Sequence, residues 1–402
     1  MNTLMKRIDN ILFYAICFFV GIYSFMFQAI DIRVLAIISV TFIIYAVIYD
    51  KYLFDDWALR FITLAGFGTA LIDAHRNIEL PETVYYVLLW PFFYILGKYI
   101  MTDKDKSEKR GYIALVIMTI MIYIQGLIQY ANHNSGLEET DSWDGWLDFF
   151  TGVHMARTVY VFCFCAIAAW LFLGLIYLKK NILIGLLIIA LNIIATVVDF
   201  VFARGRICLL TQIVVTFIML CIYIIKEKKY KNKSYRKALT IIGILAFVCL
   251  VSGIILVKLN VSGIGDRYAN SFLARDGGIF GNVRYRSIVE GLILSVQQPL
   301  GGWSTPSLDI AHNVFLLFSR DYDTVIFLLL VGYEIVTLVY LIRLLMMKMK
   351  VLDYVIVSLL VSINIYYTIE TCPWRYRKYW FFILFVGGIL RKRVENNRAE
   401  NE

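Results

Sequence analysis

Apolar runs of about 20 residues, broken by short charged segments, recur along the whole chain and constrain its fold more than any other feature. A helical run of that length reaches across the ~30 Å hydrocarbon core of a bilayer. Backbone polar groups inside that core find no water, so a spanning segment must be a helix or part of a closed barrel. Runs this long select helices. The candidate spans are 11–30, 34–49, 57–72, 83–101, 112–130, 156–178, 182–202, 206–225, 239–258, 322–345, 351–369 and 379–390. They predict an all-α integral membrane protein with about 12 transmembrane helices. Charged residues are 17% of the 402, whereas a soluble domain carries about 25%; the deficit is too large for a water-facing globular surface. The run after MNTLMKRIDN is too long for a signal peptide, and no small-residue cleavage site follows it, so it reads as a retained first span.

Lys and Arg set the orientation. With the N-terminus in the cytoplasm, the inner segments hold about 25 of the 39 basic residues, as the positive-inside rule requires. Lys226–Lys237 (KEKKYKNKSYRK) is the strongest marker. This placement predicts a multi-pass protein of the cell membrane with both termini cytoplasmic. It also speaks against nucleic acid as the partner of the +9 net charge, because the cations sit where orientation signals belong. The expected organisation is a bundle of spans one to nine (1–258), an extracytoplasmic loop domain with an amphipathic helix (259–321), spans ten to twelve (322–390) and a cytoplasmic tail (391–402) whose acidic end, VENNRAENE (394–402), reads as disordered. The seven cysteines fall mostly in apolar runs without metal-ligand spacing, and no metal is expected.

The informative residues are basic groups outside the orientation rule. Arg204 and Arg206 follow Phe202-Ala203 at the outer junction of spans seven and eight. Arg284 and Arg286 stand in the long loop, and His312 follows Asp309-Ile310-Ala311. Ionisable groups at membrane depth are expensive and usually face a cavity or a partner. The planar arginine fork matches phosphate oxygens in a two-point contact, so separated arginines at headgroup level suit a lipid-linked diphosphate. A neutral histidine nearby can take a proton from a sugar hydroxyl. Taken singly, each has an ordinary reading as a snorkelling turn residue, a solvated loop-helix face or a polar helix start.

Their spacing adds to the case. From Arg284 the chain reads RYRSIVEGLILSVQQPLGGWSTPSLDIAHN. Ile288, Leu292, Ile293 and Val296 fall near helical spacing and predict an amphipathic helix over 284–297. Pro299-Leu300-Gly301-Gly302 ends it in a turn, and His312-Asn313 opens another helix. This order resembles the C-terminal signature of the O-antigen ligase and polysaccharide polymerase family: a loop-helix arginine, a Pro-Leu-Gly turn, then His-Asn before an apolar helix. Ala203-Arg204-Gly205 resembles the family's Ser-Arg-Gly, with Ala203 in place of the serine. The Gly turn is one residue shorter than the family's, and Ile288 stands where the family carries an aromatic. The resemblance covers about residues 195–345.

The resemblance implies a GT-C-like bundle with a long extracytoplasmic loop between spans nine and ten. It implies a metal-independent, inverting glycosyltransferase without cofactor. This enzyme would move an oligosaccharide from an undecaprenyl-diphosphate carrier to an acceptor glycan or lipid. Arg204 and Arg284 would bind the diphosphate, and His312 would position or deprotonate the acceptor hydroxyl. Arg206, Arg286, His154 and Arg157 rank behind them as binding residues. Asp199 is a candidate bundle ion-pair partner. Glu370, Arg375–Lys378, Trp143 and Trp146 form further polar or aromatic clusters, and Asp73-Ala74-His75-Arg76 reads as a solvated loop. Polymerase and ligase share these motifs. A lipid-linked sugar flippase would show charges along many spans and an internal duplication, whereas spans one to six are nearly free of charge. A lipid-monophosphate-dependent transferase would place acids in a long first outer loop, which here is only Asp31-Ile32-Arg33. A scaffold without chemistry is the remaining class.

Overall fold

The computed structural model describes residues 3–27, 29–49, 51–76, 85–136, 146–152, 154–155, 157–199, 207–229, 283–307, 311–369 and 379–401. Its long elements are helices: α1 (Thr3–Met26), α2 (Ile32–Tyr49), α3 (Trp57–His75), α4 (Trp90–Ile100), α5 (Ser107–Gly136), α6 (Arg157–Ala168) and α7 (Leu171–Lys180). They continue as α8 (Ile182–Val197), α9 (Ile207–Lys229), α10 (Val283–Gln297), α11 (Val314–Asp321), α12 (Thr324–Met346), α13 (Val351–Ile369) and α14 (Trp380–Asn401). A two-residue antiparallel pair joins β1 (Trp146–Leu147) to β2 (His154–Met155). Among the described residues eight segments are long and apolar enough to cross a membrane: Ile8–Met26, Ile32–Tyr49, Trp57–His75, Ser107–Asn132, Tyr160–Leu178, Ile207–Lys226, Thr324–Met346 and Val351–Ile369. The chain is therefore an all-α, multi-pass membrane protein. The expected span at 239–258, loop residues 259–282 and the cluster at 370–378 lie outside the described residues.

Helix starts carry local signals. Asp56, Asn181, Asn313 and Asp323 cap α3, α8, α11 and α12, each accepting a hydrogen bond from a first-turn backbone N–H. Pro91 stands at the junction where a π-helical turn, Tyr85–Leu89, passes into α4.

At the centre lie α4 and the first half of α14. Every residue of α4 is buried, and so are Trp380–Leu390. Gly97 and Gly388 let the two backbones meet: a Cβ on either would stand 2.1 Å from a carbonyl of the other helix. Rings fill the seam around them, with Trp90 and Trp380 centroids 5.0 Å apart and Phe93 and Phe381 4.8 Å apart. The outer helices turn large aliphatics away from this centre: Ile48 on α2, Leu183 on α8 and Val325 on α12 are exposed in the isolated chain. Such faces suit lipid.

Buried ion pairs gather at one end, which also carries Lys180 and Lys226. Arg393 donates through Nε and Nη2 to both Asp353 carboxylate oxygens, at 2.7 and 3.1 Å. Arg110 meets Asp9 at 2.6 Å. Asp56, besides capping α3, accepts from Tyr94 and Lys98 and lies 3.3 Å from Arg391. These contacts correct one expectation. The stretch from Val394 is not disordered: α14 runs unbroken to Asn401, anchored by Arg391, Arg393 and an Asn396 side-chain bond to the Met101 carbonyl.

Arg393→Ala leaves Asp353 buried without its counter-charge. It should destabilise the detergent-solubilised protein by ~3–5 kcal/mol, whereas replacing both partners together with apolar residues of similar size should recover most of the loss. Thermal unfolding followed by native tryptophan emission measures both.

Candidate functional site

At the end opposite the buried ion pairs, α10, α11 and the connection between them form a tied lobe. The Pro299-Leu300-Gly301-Gly302 turn runs with φ of +80° at Gly301 and +77° at Gly302, a region that glycine enters without steric cost. It docks on the exit of α11. Gly302 N–H donates to the Arg320 carbonyl at 2.6 Å, and Thr324 N–H donates to the Pro299 carbonyl at 2.8 Å. Thr324 Oγ1 also donates to the Ser295 carbonyl. Across the lobe, Glu290 accepts from the Ser307 N–H at 3.0 Å and from its hydroxyl at 2.5 Å. Trp303, Ala311 and Leu316 form a small apolar core beneath α10.

His312 sits on this scaffold between buried Ala311 and the α11 cap Asn313. It is half-buried, and its Nδ1 is buried with no hydrogen-bond partner among the described residues. Burial first, and then the nearby positive charge of Arg284, lower its pKa to about 4. Both act by disfavouring the imidazolium. The imidazole is therefore neutral at pH 7 and holds a lone pair or an N–H ready for an incoming group. Arg284 and Arg286 stand in the first turn of α10, which has no acidic residue. Arg284 is half-buried and Arg286 exposed. Two guanidinium groups at the positive end of a helix dipole make an anion-attracting corner.

A second polar cluster lies behind α11. Asp73 is almost fully buried near the end of α3. The Tyr322 hydroxyl lies 3.5 Å from Asp73 Oδ2 and 3.3 Å from the Tyr86 hydroxyl. Arg76 donates to the Asp321 carbonyl and lies over the Tyr322 ring. The Asp73–Arg76 stretch is thus no solvated loop: it ends a helix and clamps the exit of α11. Its signal in the sequence is one carboxylate at the end of an apolar run.

Of the other expected site residues, Arg204 and Arg206 lie outside the described residues. His154 belongs to β2 and Arg157 opens α6. Near them, buried Asp148 accepts from Gln129, Tyr160 and the Phe150 and Thr151 backbones, and so pins the 146–152 segment onto α5 and α6. Asp199 accepts from the Cys208 N–H at 3.0 Å, capping the start of α9. Trp146 lies in β1, while Trp143, Glu370 and Arg375–Lys378 lie outside the described residues.

The fold and site together define a multi-pass helical membrane protein with a cationic, histidine-bearing corner at one end of its bundle. No family model matches this chain, and no curated protein matches it.

Two outcomes test the corner. Arg284→Gln removes one of the two influences that depress His312, so its pKa should rise from about 4 while staying below 6.5, because burial persists. Imidazole NMR of the detergent-solubilised protein reads the shift. The sign also fixes a pH window. The lobe's preference for neutral His312 is fully present above pH 6.5 and is lost as pH falls through about 4. Gly301→Ala puts a Cβ 2.6 Å from the Arg320 carbonyl at positive φ. It should cost about 1–3 kcal/mol and open the 299–312 segment to limited proteolysis.

Proposed function

We propose that this chain is a glycan polymerase of the O-antigen ligase and polymerase class, acting on an undecaprenyl-diphosphate-linked oligosaccharide at the extracytoplasmic face of the cell membrane. In this reading the termini are cytoplasmic, the spans number about 12, and the lobe around α10 belongs to an extracytoplasmic loop domain. The observation that carries the proposal is the pairing of Arg284 with a neutral His312 whose Nδ1 has no partner among the described residues. An acidic general base would need no such cation, and a purely structural histidine would have its ring nitrogens satisfied.

The chemistry follows from the charges. The acceptor hydroxyl oxygen attacks the anomeric carbon from the face opposite the diphosphate. The new C–O bond forms as the bond to the carrier breaks, and the hydroxyl proton passes to His312. Negative charge growing on the departing diphosphate is met by Arg284 and, in this reading, by Arg204; preorganised donors of this kind act where the charge develops. The bound diphosphate also opposes the influence of Arg284 on His312 and raises its pKa toward neutrality, making the imidazole a better base when substrate is present.

The test is a ladder assay with the purified chain and an undecaprenyl-diphosphate-linked oligosaccharide. His312→Ala should abolish long products. Arg284→Lys keeps the charge but loses the fork, and should slow elongation by about 10²–10³. An intact ladder in His312→Ala at normal expression removes the proposal. Loss of long chains with single units still transferred selects polymerase over ligase.

A further inference from the structure

Helix α10 carries bulky apolar residues on two faces, one turned to the lobe and one turned away from it. Toward the lobe it turns Ser287, Gly291 and Ser295, which are buried, and Ile288 and Leu294, which pack against Trp303, Ala311 and Leu316; Gly291 lies directly on those three. A second set of bulky apolar residues, Tyr285, Val289, Leu292, Ile293, Val296 and Leu300 just beyond its end, points away from the lobe. By helical geometry the first five share one arc of about 100°. Val296 is 77% and Leu300 86% exposed. A water-facing loop helix buries one apolar face and exposes a polar one, so the second, exposed apolar arc is the feature that needs a partner.

Two further observations identify what covers the face. The first is continuity. Ser295 and Pro299 are both hydrogen-bonded to Thr324, the first residue of α12. The next residue, Val325, begins the exposed stripe of α12 that continues through Leu328, Ile335 and Ile342. That stripe belongs to a segment long and apolar enough to cross a membrane, so the α10 face runs directly into a lipid-facing surface. The second is charge and length. Arg286 is exposed in the first turn and by helical geometry flanks the apolar arc, as cations do on helices lying in a headgroup layer. Fifteen residues extend only about 22 Å, too short to cross.

We infer that α10 lies in the plane of the bilayer interface at the end opposite the buried ion pairs, its apolar arc inserted among the acyl chains of that leaflet. The occupant of this face is membrane phospholipid. Arg284, on the other side of the helix, is thereby held at headgroup depth beside His312. The inference stands apart from the transfer reading and concerns only where the helix lies.

Photo-crosslinking tests it. p-Benzoyl-phenylalanine is placed at Val296, or at Leu300, in the full chain reconstituted in nanodiscs of phosphatidylethanolamine and phosphatidylglycerol, irradiated and analysed by peptide mass spectrometry. Ile335, on the α12 stripe, serves as the lipid-facing reference. Phospholipid adducts at both α10 positions, comparable in yield to Ile335, are expected. Cross-links to residues 230–282 or to a second copy of the chain would instead assign the face to protein. Lack of adducts at both positions while Ile335 reacts would place the helix in water. Either result overturns the inference.

Discussion

A peptide group in hydrocarbon has no water to fall back on, so each stretch of chain inside the bilayer must close its own hydrogen bonds. That requirement shapes the rest of this structure. It makes the long elements helices, and it pushes most ionisable groups to the ends of the bundle or into pairs, with Glu334 in the middle of α12, its Oε1 buried without a hydrogen-bond partner among the described residues, as an exception. Helices α4 and the first half of α14 show the limiting case. Sheathed on all sides, they meet backbone to backbone at Gly97 and Gly388 and fill the remaining space with rings. The charges at the two ends then serve different ends. At the basic end Asp9, Asp56 and Asp353 each face a cation and tie six helices together. At the other end, polar groups hold a lobe that presents an imidazole.

In that lobe, positioning and chemistry fall to different residues. Asn313 caps α11, Glu290 grips Ser307, and the glycine turn rests on backbone carbonyls. None of these needs to touch a ligand. His312 and Arg284 are left with unequal surroundings, one neutral through burial and the other cationic at a helix start. Placing a weak base and a phosphate-matching cation side by side usually penalises the base. Here that penalty is the kind that an arriving anion relieves.

Much of this was legible in the sequence. The alternation of apolar runs and cations gave the helical membrane class, because length and hydropathy alone decide that question. Pro299 through Gly302 and Asn313 announced a turn and a cap, since those residue types have few other uses in such positions. The helix over 284–297 was also visible, but its orientation was not. Period identifies a helix without saying which of its apolar residues meet the protein: Ile288 packs on the lobe, whereas Leu292, Ile293 and Val296 are exposed. Asp73 was misread because a carboxylate near a run's end looks solvated until a distant tyrosine, Tyr322, is brought to it. The helical tail past Arg391 was hidden likewise, its acidic composition outweighed by anchors on α3, α4 and α13. Both depend on pairings far apart in the chain.

The bond between Thr324 and Pro299 joins two points about 25 residues apart and turns the intervening stretch into a closed circuit. The entropic cost of bringing its ends together is met once, at that bond, and His312 lies within the span it closes. The guanidinium of Arg284 enters from outside the ring, on a rod attached at the same point. Base and cation therefore share one anchorage, and because Glu290 on the rod also holds Ser307 within the ring, neither can shift without disturbing the other's support.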